Sequence, residues 1–362
     1  MPTEKEILKR LEGGDLSLPP LLFRLLEVQP RIRDNFRTDA LIEVTWRDFK
    51  TKFIVELKSI STPKAFQSAL NNLKILSSEE NLGLMLIMPY LNDEQLQELD
   101  GEGVSGIDLC GNGVVVVPGK FAVYRSGGRN KFPSSTPIRN IYRKNSSMVG
   151  RVFLARTGYN SVQDVWGEVN KLDLLANRWD KKPMSISTIS KSLKALDEDL
   201  IIERNGFIRL LQPDKLLEKL SEYYLPPNSK KKIRIKLTEK TESIIQLLGN
   251  VSQNAGMPIV ATGSTSVTQY AVMQRGDMLS VYCPSIEELL QLIPGSESDR
   301  FPDLELIETE DQRVYFDSRM QQNFGWASPV QVYLELMRGD KRDRETADQV
   351  KSYILNNLEL ES

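Results

Sequence analysis

Between residues 40 and 59 the chain carries two short apolar runs rich in β-branched and aromatic residues, ALIEVTW (Ala40–Trp46) and KFIVELKS (Lys52–Ser59). The polar link RDFKT joins them, so the pair is expected as a hairpin. A turn at Asp48-Phe49 would set Asp39 opposite Lys58. Residues two apart in a strand share a face, so Glu56 and Lys58 project together from the strand end. Two carboxylates and an ammonium would then converge. Upstream, residues 1–30 read as helix-rich, with LPPLLFRLLEV supplying an apolar stripe after a proline start. Downstream, STPKAFQSALNNLKILSS places Ala65, Phe66, Ala69, Leu70, Leu73 and Leu76 at helical spacing. LGLMLIMPY has the length and continuous apolarity of a buried strand. NDEQLQELDGEG reads as a short helix with an asparagine cap and a glycine exit. GIDLCGNGVVVVPG adds two short strands. This order implies a mixed α/β sheet with helices on its faces.

Past residue 145 the pattern turns helical. Met148 to Arg156 and Ser161 to Val169 are expected as two helices, and SISTISKSLKALDEDL (Ser185 to Leu200) as a third. Ile186, Ile189, Leu193 and Leu196 would form the buried stripe of that third helix. Its other face carries Ser187, Thr188, Ser190, Lys191 and Lys194. IIERNGFIRLL follows as a hairpin turning at Asn205-Gly206, a strong short-range hairpin signal. Three helices and a hairpin are the winged-helix order, in which a polar helix face enters the major groove. From KKKIRIKL (Lys230 to Leu237) onward, strands (MPIVATG, MLSVYC, RVYFD) alternate with helices (PSIEELLQLI, SPVQVYLELM and one from Asp343). The acids Asp303, Glu305, Glu308, Glu310, Asp311 and Asp317 are expected on a solvated face.

Composition narrows the chemistry. A chain of 362 residues, 40% hydrophobic and 27% charged, fits two or three soluble domains. No apolar run approaches the roughly 20 residues that span a bilayer, so no membrane is expected. The amino terminus shows no secretory pattern, and a cytoplasmic location is expected. Cys110 and Cys283 stand far apart, which excludes a disulfide framework or a cysteine-rich zinc site. The chain has 0 histidines. Ser-His-Asp and Cys-His catalysis and histidine-metal hydrolysis are thereby excluded, leaving carboxylates, lysine, hydroxyls or a hard metal ion. No GxxxxGK[ST] loop occurs, and the glycines of LCGNGVVVVPG precede a strand rather than the helix of a dinucleotide site.

The net charge of −2 hides an asymmetry. Residues 1–237 hold 37 Lys+Arg against 29 Asp+Glu, and residues 238–362 hold 10 against 20. No acid occurs from Leu109 through Gln163, while Lys120, Arg125, Arg129, Lys131, Arg139, Arg143, Lys144, Arg151 and Arg156 do. With SGGRNKFPSSTP among them, that stretch reads as an exposed basic loop suited to phosphate. The acidic end suits a basic protein surface instead, with Tyr315, Phe316, Phe324, Trp326 and Tyr333 as apolar anchors. A fragment starting near Lys230 is expected to fold alone and to bind such a partner.

Asp39 leading one strand and Glu56-Leu57-Lys58 ending the next resemble the PD-(D/E)XK nuclease superfamily over roughly residues 30–120. Thr38-Asp39 stands where that family has Pro-Asp. The resemblance implies a restriction-endonuclease-like mixed sheet, Mg²⁺ held by Asp39 and Glu56, and Lys58 orienting or activating water. Gln67 on the following helix could reach the site. Hard carboxylate oxygens suit Mg²⁺, and such a metal needs no histidine to activate water. The competing reading of Glu56 and Lys58 is an edge-strand ion pair worth at most about 1 kcal/mol.

A second resemblance covers GIDLCGN, GFIRLLQP, IVATG and WASPVQVYLELM as an ordered set, which is similar to AbiEi-type antitoxins and related winged-helix regulators. It implies a nuclease-like domain (1–132), a winged-helix DNA-binding domain (145–225) and a small α+β domain (230–362) that binds a toxin. The chain departs from that pattern by an insertion around LDLLANRWDKKP. The leading expectation is a transcriptional regulator on double-stranded DNA, in which Arg139, Arg143, Lys144, Ser187, Thr188, Lys191 and Lys194 contact DNA. The alternatives are a Mg²⁺-dependent endonuclease and a protein-binding scaffold; homodimerisation stays open.

Overall fold

A computed structural model of the chain describes residues 2–33, 36–76, 82–133, 139–172, 183–237, 241–273, 278–321 and 323–360. The chain divides into two compact units, Met1–Ile138 and Arg139–Ser362. Both are mixed α/β. Among the described residues, no helix is long and apolar enough to cross a membrane.

The first unit opens with α1 (Glu4–Glu12), closed by a capping box in which Thr3 and Glu6 exchange side-chain-to-backbone hydrogen bonds. Then come β1 (Leu22–Val28), a small ribbon of β2 (Arg31–Arg33) and β3 (Phe36–Arg37), β4 (Ala40–Trp46) and β5 (Phe49–Leu57). Helix α2 (Pro63–Ile75), β6 (Leu82–Met88), α3 (Asp93–Gly101), β7 (Ser105–Asp108), β8 (Gly113–Val117) and β9 (Phe121–Arg125) complete it. The seven-stranded sheet runs β1-β4-β5-β6-β7-β8-β9. Pairing is parallel across β5-β6 and β6-β7, where α2 and α3 make the crossovers, and antiparallel elsewhere.

Alternation along β5 sends Phe53, Val55 and Leu57 to one face, into a core with Ile7 and Leu11 of α1. Ile54 goes to the other face, against Phe66, Leu70 and Leu73 of α2. The helical stripe expected in LPPLLFRLLEV is instead strand β1. Six of its seven residues pair with β4, and that ladder outweighs the weak local preference of a leucine-rich segment.

The GIDLCGN segment is a structural knot. Buried Asp108 accepts from the backbone N–H of Leu91, Cys110 and Asn112 and from the Asn112 side chain, at 2.7–3.0 Å. Burial pushes its carboxyl up, and these four donors pull it back.

The second unit begins with 3-10 turns and α4 (Ser147–Arg151), which tightens to a 3-10 turn at Val152–Leu154 rather than running on to Arg156. Next are β10 (Gly158–Tyr159), α5 (Val162–Lys171), α6 (Ile186–Glu198), β11 (Ile202–Asn205), β12 (Phe207–Leu210) and α7 (Pro213–Glu222). The three strands form a sheet in the order β10-β12-β11. Gly206, at φ 79°, makes the tight turn between β11 and β12. The insertion expected around LDLLANRWDKKP lies largely outside the described residues, as does the SSTP stretch of the basic loop.

The rest comprises β13 (Lys231–Leu237), α8 (Thr241–Ala255), β14 (Val260–Thr262), α9 (Gly263–Val267), β15 (Leu279–Cys283), α10 (Ile286–Leu290) and β16 (Gly295–Glu297). After these come β17 (Leu304–Glu308), α11 (Gln312–Tyr315), β18 (Arg319–Gln321), β19 (Phe324–Trp326), α12 (Pro329–Leu336) and α13 (Lys341–Leu360). Their seven strands order as β16-β13-β17-β15-β14-β19-β18. RVYFD, expected as a strand, contains α11, because Asp311 caps that turn and its carboxylate pairs with Arg313.

Residues 139–224 and 260–358 share one hydrophobic core. Phe153, Leu193, Leu216 and Tyr224 belong to the same buried cluster as Tyr315, Val330, Tyr333 and Ile354. A polar seam crosses it. Arg151 Nη1 donates to Arg313 O and Gln331 Oε1, both at 3.0 Å, and Gln331 Nε2 donates to Tyr224 OH at 2.9 Å and Glu335 Oε1 at 2.8 Å.

Candidate functional site

The acidic constellation sits where β4 begins and β5 ends. The hairpin loop is Arg47-Asp48, with Arg47 at φ 53°, and Trp46 pairs with Phe49. That is one residue earlier than a turn at Asp48-Phe49. The ladder ends at Ala40↔Val55, so Asp39 stands opposite Glu56, not Lys58. The shift leaves Asp39 and Glu56 on one face, because directly opposed residues of an antiparallel pair point the same way.

Asp39 is held at both ends of the residue. Its N–H donates to Val55 O at 3.2 Å, and its Oδ2 accepts from Leu57 N at 2.7 Å. Glu56 Oε1 accepts from Lys58 Nζ at 2.7 Å and from Asn72 Nδ2 of α2 at 3.0 Å. The Glu56–Lys58 pair is largely shielded, with side-chain exposures of 13% and 23%. Gln67 turns elsewhere and donates to Glu98 at 2.6 Å, so the α2 residue that reaches the site is Asn72.

Burial raises the Asp39 carboxyl, and the Leu57 N–H partly offsets it; the Glu56 charge adds to the rise and Lys58 opposes it. Glu4, in the first turn of α1, joins the group. Its carboxyl is raised by partial burial and then by the charge of Asp39, with Lys58 lowering it and Glu56 raising it. Sequence reading missed Glu4 and Asn72. The capping box marks where α1 starts, but only folding brings residue 4 beside residues 39, 56 and 58.

Among the described residues, no group of three or more His, Cys, Asp or Glu is arranged to hold a metal ion. The donor set still suits a hard ion that keeps most of its waters. Asp39 and Glu56 each have one carboxylate oxygen that accepts no hydrogen bond among the described residues.

The other candidate residues lie in the second unit. Ser187, Thr188, Lys191 and Lys194 are exposed on α6, and Ile189, Ser192, Leu193, Ala195 and Leu196 are buried. Ser185 caps the helix by accepting from Thr188 N at 3.2 Å. Ile186 departs from the expected buried stripe: at 47% exposure in the first turn, it projects past the core. Arg143 and Lys144 are exposed, with the Arg143 guanidinium 5.2 Å from the centre of the Tyr223 ring. Arg139 opens a 3-10 turn, and its side chain lies outside the described residues.

Arg151 does not belong to a phosphate-facing surface. It is 2% exposed on the inner side of α4, and burial lowers its guanidinium to about 10. The expected acidic face is also altered. Antiparallel pairing of β13 with β17 brings Lys232 within 2.9 Å and Arg234 within 3.4 Å of Glu305, and Lys236 lies 2.9 Å from Asp303. Lys230 pairs with Glu310, and Glu308 accepts from Ile286 N. Asp317 is buried and pushed up to about 6. The basic strand and the acidic stretch therefore neutralise each other. Tyr315, Phe316, Phe324, Trp326 and Tyr333, expected as partner anchors, are core residues at 0–6% exposure.

No known protein family matches the chain, and no curated protein matches it. One solved structure is similar in part, a repair endonuclease from Pyrococcus abyssi, at 19% identity and a TM-score of 0.24. That similarity covers 29% of this chain and 46% of the endonuclease, so the chain spans under half of the length of the structure it matches.

Proposed function

We propose that the chain is a double-stranded-DNA-binding regulator that reads DNA with α6. The observation that supports this reading is the order α4, β10, α5, α6, β11, β12 with a three-stranded sheet β10-β12-β11, the order of elements expected of a winged helix. In that layout the helix before the hairpin enters the major groove. Here that helix offers Ser187 and Thr188 as donors and acceptors and Lys191 and Lys194 as cations, all exposed. Arg143 and Lys144 supply further phosphate contacts. Fluorescence anisotropy on the protein's own promoter region, against a scrambled duplex of equal length, tests the reading. Specific binding lost in the Lys191→Ala/Lys194→Ala variant supports it; equal affinity of wild type and variant for both duplexes overturns it. The antitoxin-type role, with a protein toxin held by residues 230–362, rests on the ordered sequence motifs alone. The buried aromatics and paired acids of that segment add nothing to it.

A second reading is favoured by the meeting of Asp39, Glu56 and Lys58 at the end of the β4-β5 hairpin, with α2 crossing to parallel β6 behind it. On this reading the first unit is a PD-(D/E)XK-type nuclease domain. Mg²⁺ would be held by Asp39 and Glu56 and would supply charge stabilisation and an acidified water at a phosphodiester. Asn72 and Lys58 fix the orientation of Glu56, and the Leu57 N–H fixes Asp39. Nicking of supercoiled DNA with Mg²⁺ or Mn²⁺, abolished by Glu56→Ala, supports this reading. Inactivity with both metals leaves the regulator alone.

A further inference from the structure

We propose that β1 is a self-association edge, through which two copies of this chain pair antiparallel about a two-fold axis and join their sheets. The proposal is independent of both functional readings above.

Strand β1 lies at one end of the seven-stranded sheet and, among the described residues, pairs with β4 alone, so its outer row of backbone groups faces away from the sheet. Natural sheets usually blunt such edges with charge, proline or very short strands. Here the edge runs seven residues, LFRLLEV, and exposes three large apolar side chains: Leu22 at 70%, Leu26 at 38% and Val28 at 45%. A groove of about 410 Å³ runs beside it, between Phe23–Val28 and the end of α1 at Leu11, Glu12 and Gly14. An open edge next to a groove lined by both apolar and charged residues is an arrangement that accepts an added strand.

The faces of β1 select the partner and its register. A bulge between Leu25 and Glu27 changes the parity of the strand. Phe23 and Leu25 pair with Val44 and Ile42, and Val28 pairs with Ala40, which places all three on the α1 side. Arg24 and Glu27 pair with Glu43 and Leu41, on the opposite side. In an isologous pair, residues that oppose each other must share a face. The register that satisfies this for the paired residues sets Phe23 against Val28 of the second copy, and brings Leu25 to its Leu26, the bulge residue that has no partner on β4. The same register sets Arg24 opposite Glu27, twice. Both charges are exposed, and neither has an ion-pair partner among the described residues. Shape and charge thus choose one register, and the two-fold axis supplies the complement from the strand's own sequence.

A bulge and two charges are also ordinary means of keeping an edge unpaired. Charge reversal separates the two explanations, because blunting does not depend on the relative sign at positions 24 and 27. Analytical ultracentrifugation of the full chain over a concentration series is the test. The wild type is expected to reach twice the 41.1 kDa of one chain. Arg24→Glu and Glu27→Arg should each weaken the dimer by about tenfold or more, since each sets like charges opposite at two places. The double variant should regain affinity near that of the wild type. A monomer at every concentration overturns the proposal, even if the edge captures some other peptide. So does a dimer whose affinity is unchanged in both single variants, or one that the double swap fails to restore.

Discussion

Arg151 and Gln331, 180 residues apart in the chain, meet at 3.0 Å inside the core shared by α4 and α12. Arg151 Nε has no partner among the described residues, so the guanidinium is retained there despite incomplete satisfaction. Replacing it by methionine keeps the volume but leaves Gln331 Oε1 and Arg313 O without a donor. The expected loss is about 1–3 kcal/mol of stability in the second unit, read by chemical denaturation. An unchanged midpoint would mean that water or another donor takes over.

The same core predicts the behaviour of fragments. Residues 139–362 expressed alone should unfold cooperatively. A fragment from Lys230 should not, because the core that holds Val330, Tyr333 and Ile354 would lose Leu216 and Phe153. Dye binding and a broad thermal transition for the shorter fragment would bear this out. A sharp transition for it would show that the second half carries its own sufficient core.

Asp317 gives the second unit a pH dependence of definite sign. Its carboxyl lies at about 6, against 3.8 when unperturbed, chiefly through burial, with Arg319 and Arg151 opposing the rise. Between these values the folded state holds more protons than the unfolded one, so stability falls as pH rises through the window. Asp317→Asn should remove this slope. The wild type is expected to lose on the order of 2–3 kcal/mol relative to the variant between pH 4 and 7. Parallel curves for the two proteins would refute it.

In the first unit, Asp108→Ala should cost more than an average substitution. It strands the N–H groups of Leu91, Cys110 and Asn112 at a buried site. About 3 kcal/mol or more is expected. Asp108→Asn, which retains one acceptor oxygen, should recover part of that in the same denaturation experiment.

DNA binding, if α6 carries it, should weaken steeply with salt. Removing Lys191 and Lys194 should lower affinity roughly tenfold or more and take about one unit each from the slope of log affinity against log salt. Arg151→Met should leave that slope unchanged, because its guanidinium is enclosed. A slope altered by Arg151 and not by the lysines would place the interface elsewhere.

Local sequence determined much of this molecule. The β4-β5 hairpin, the helical spacing from Ala65 to Leu73, the β11-β12 hairpin with its turn at Gly206 and the exposed lysines of α6 follow from side-chain period and turn chemistry, which act over a few residues. Absence of histidine had already confined any chemistry to carboxylates and lysine. Tertiary structure decided the rest. LFRLLEV became an edge strand because β4 offered a ladder, and a one-residue change in the turn set Asp39 against Glu56. Glu4 and Asn72 joined that site from two helices whose placement depends on packing against the sheet. Charge counts misjudged Arg151 and Glu305, one enclosed by a core and the other matched across β13 and β17. Composition records how many charges a segment holds; which of them meet water is fixed by contacts between residues far apart in the chain.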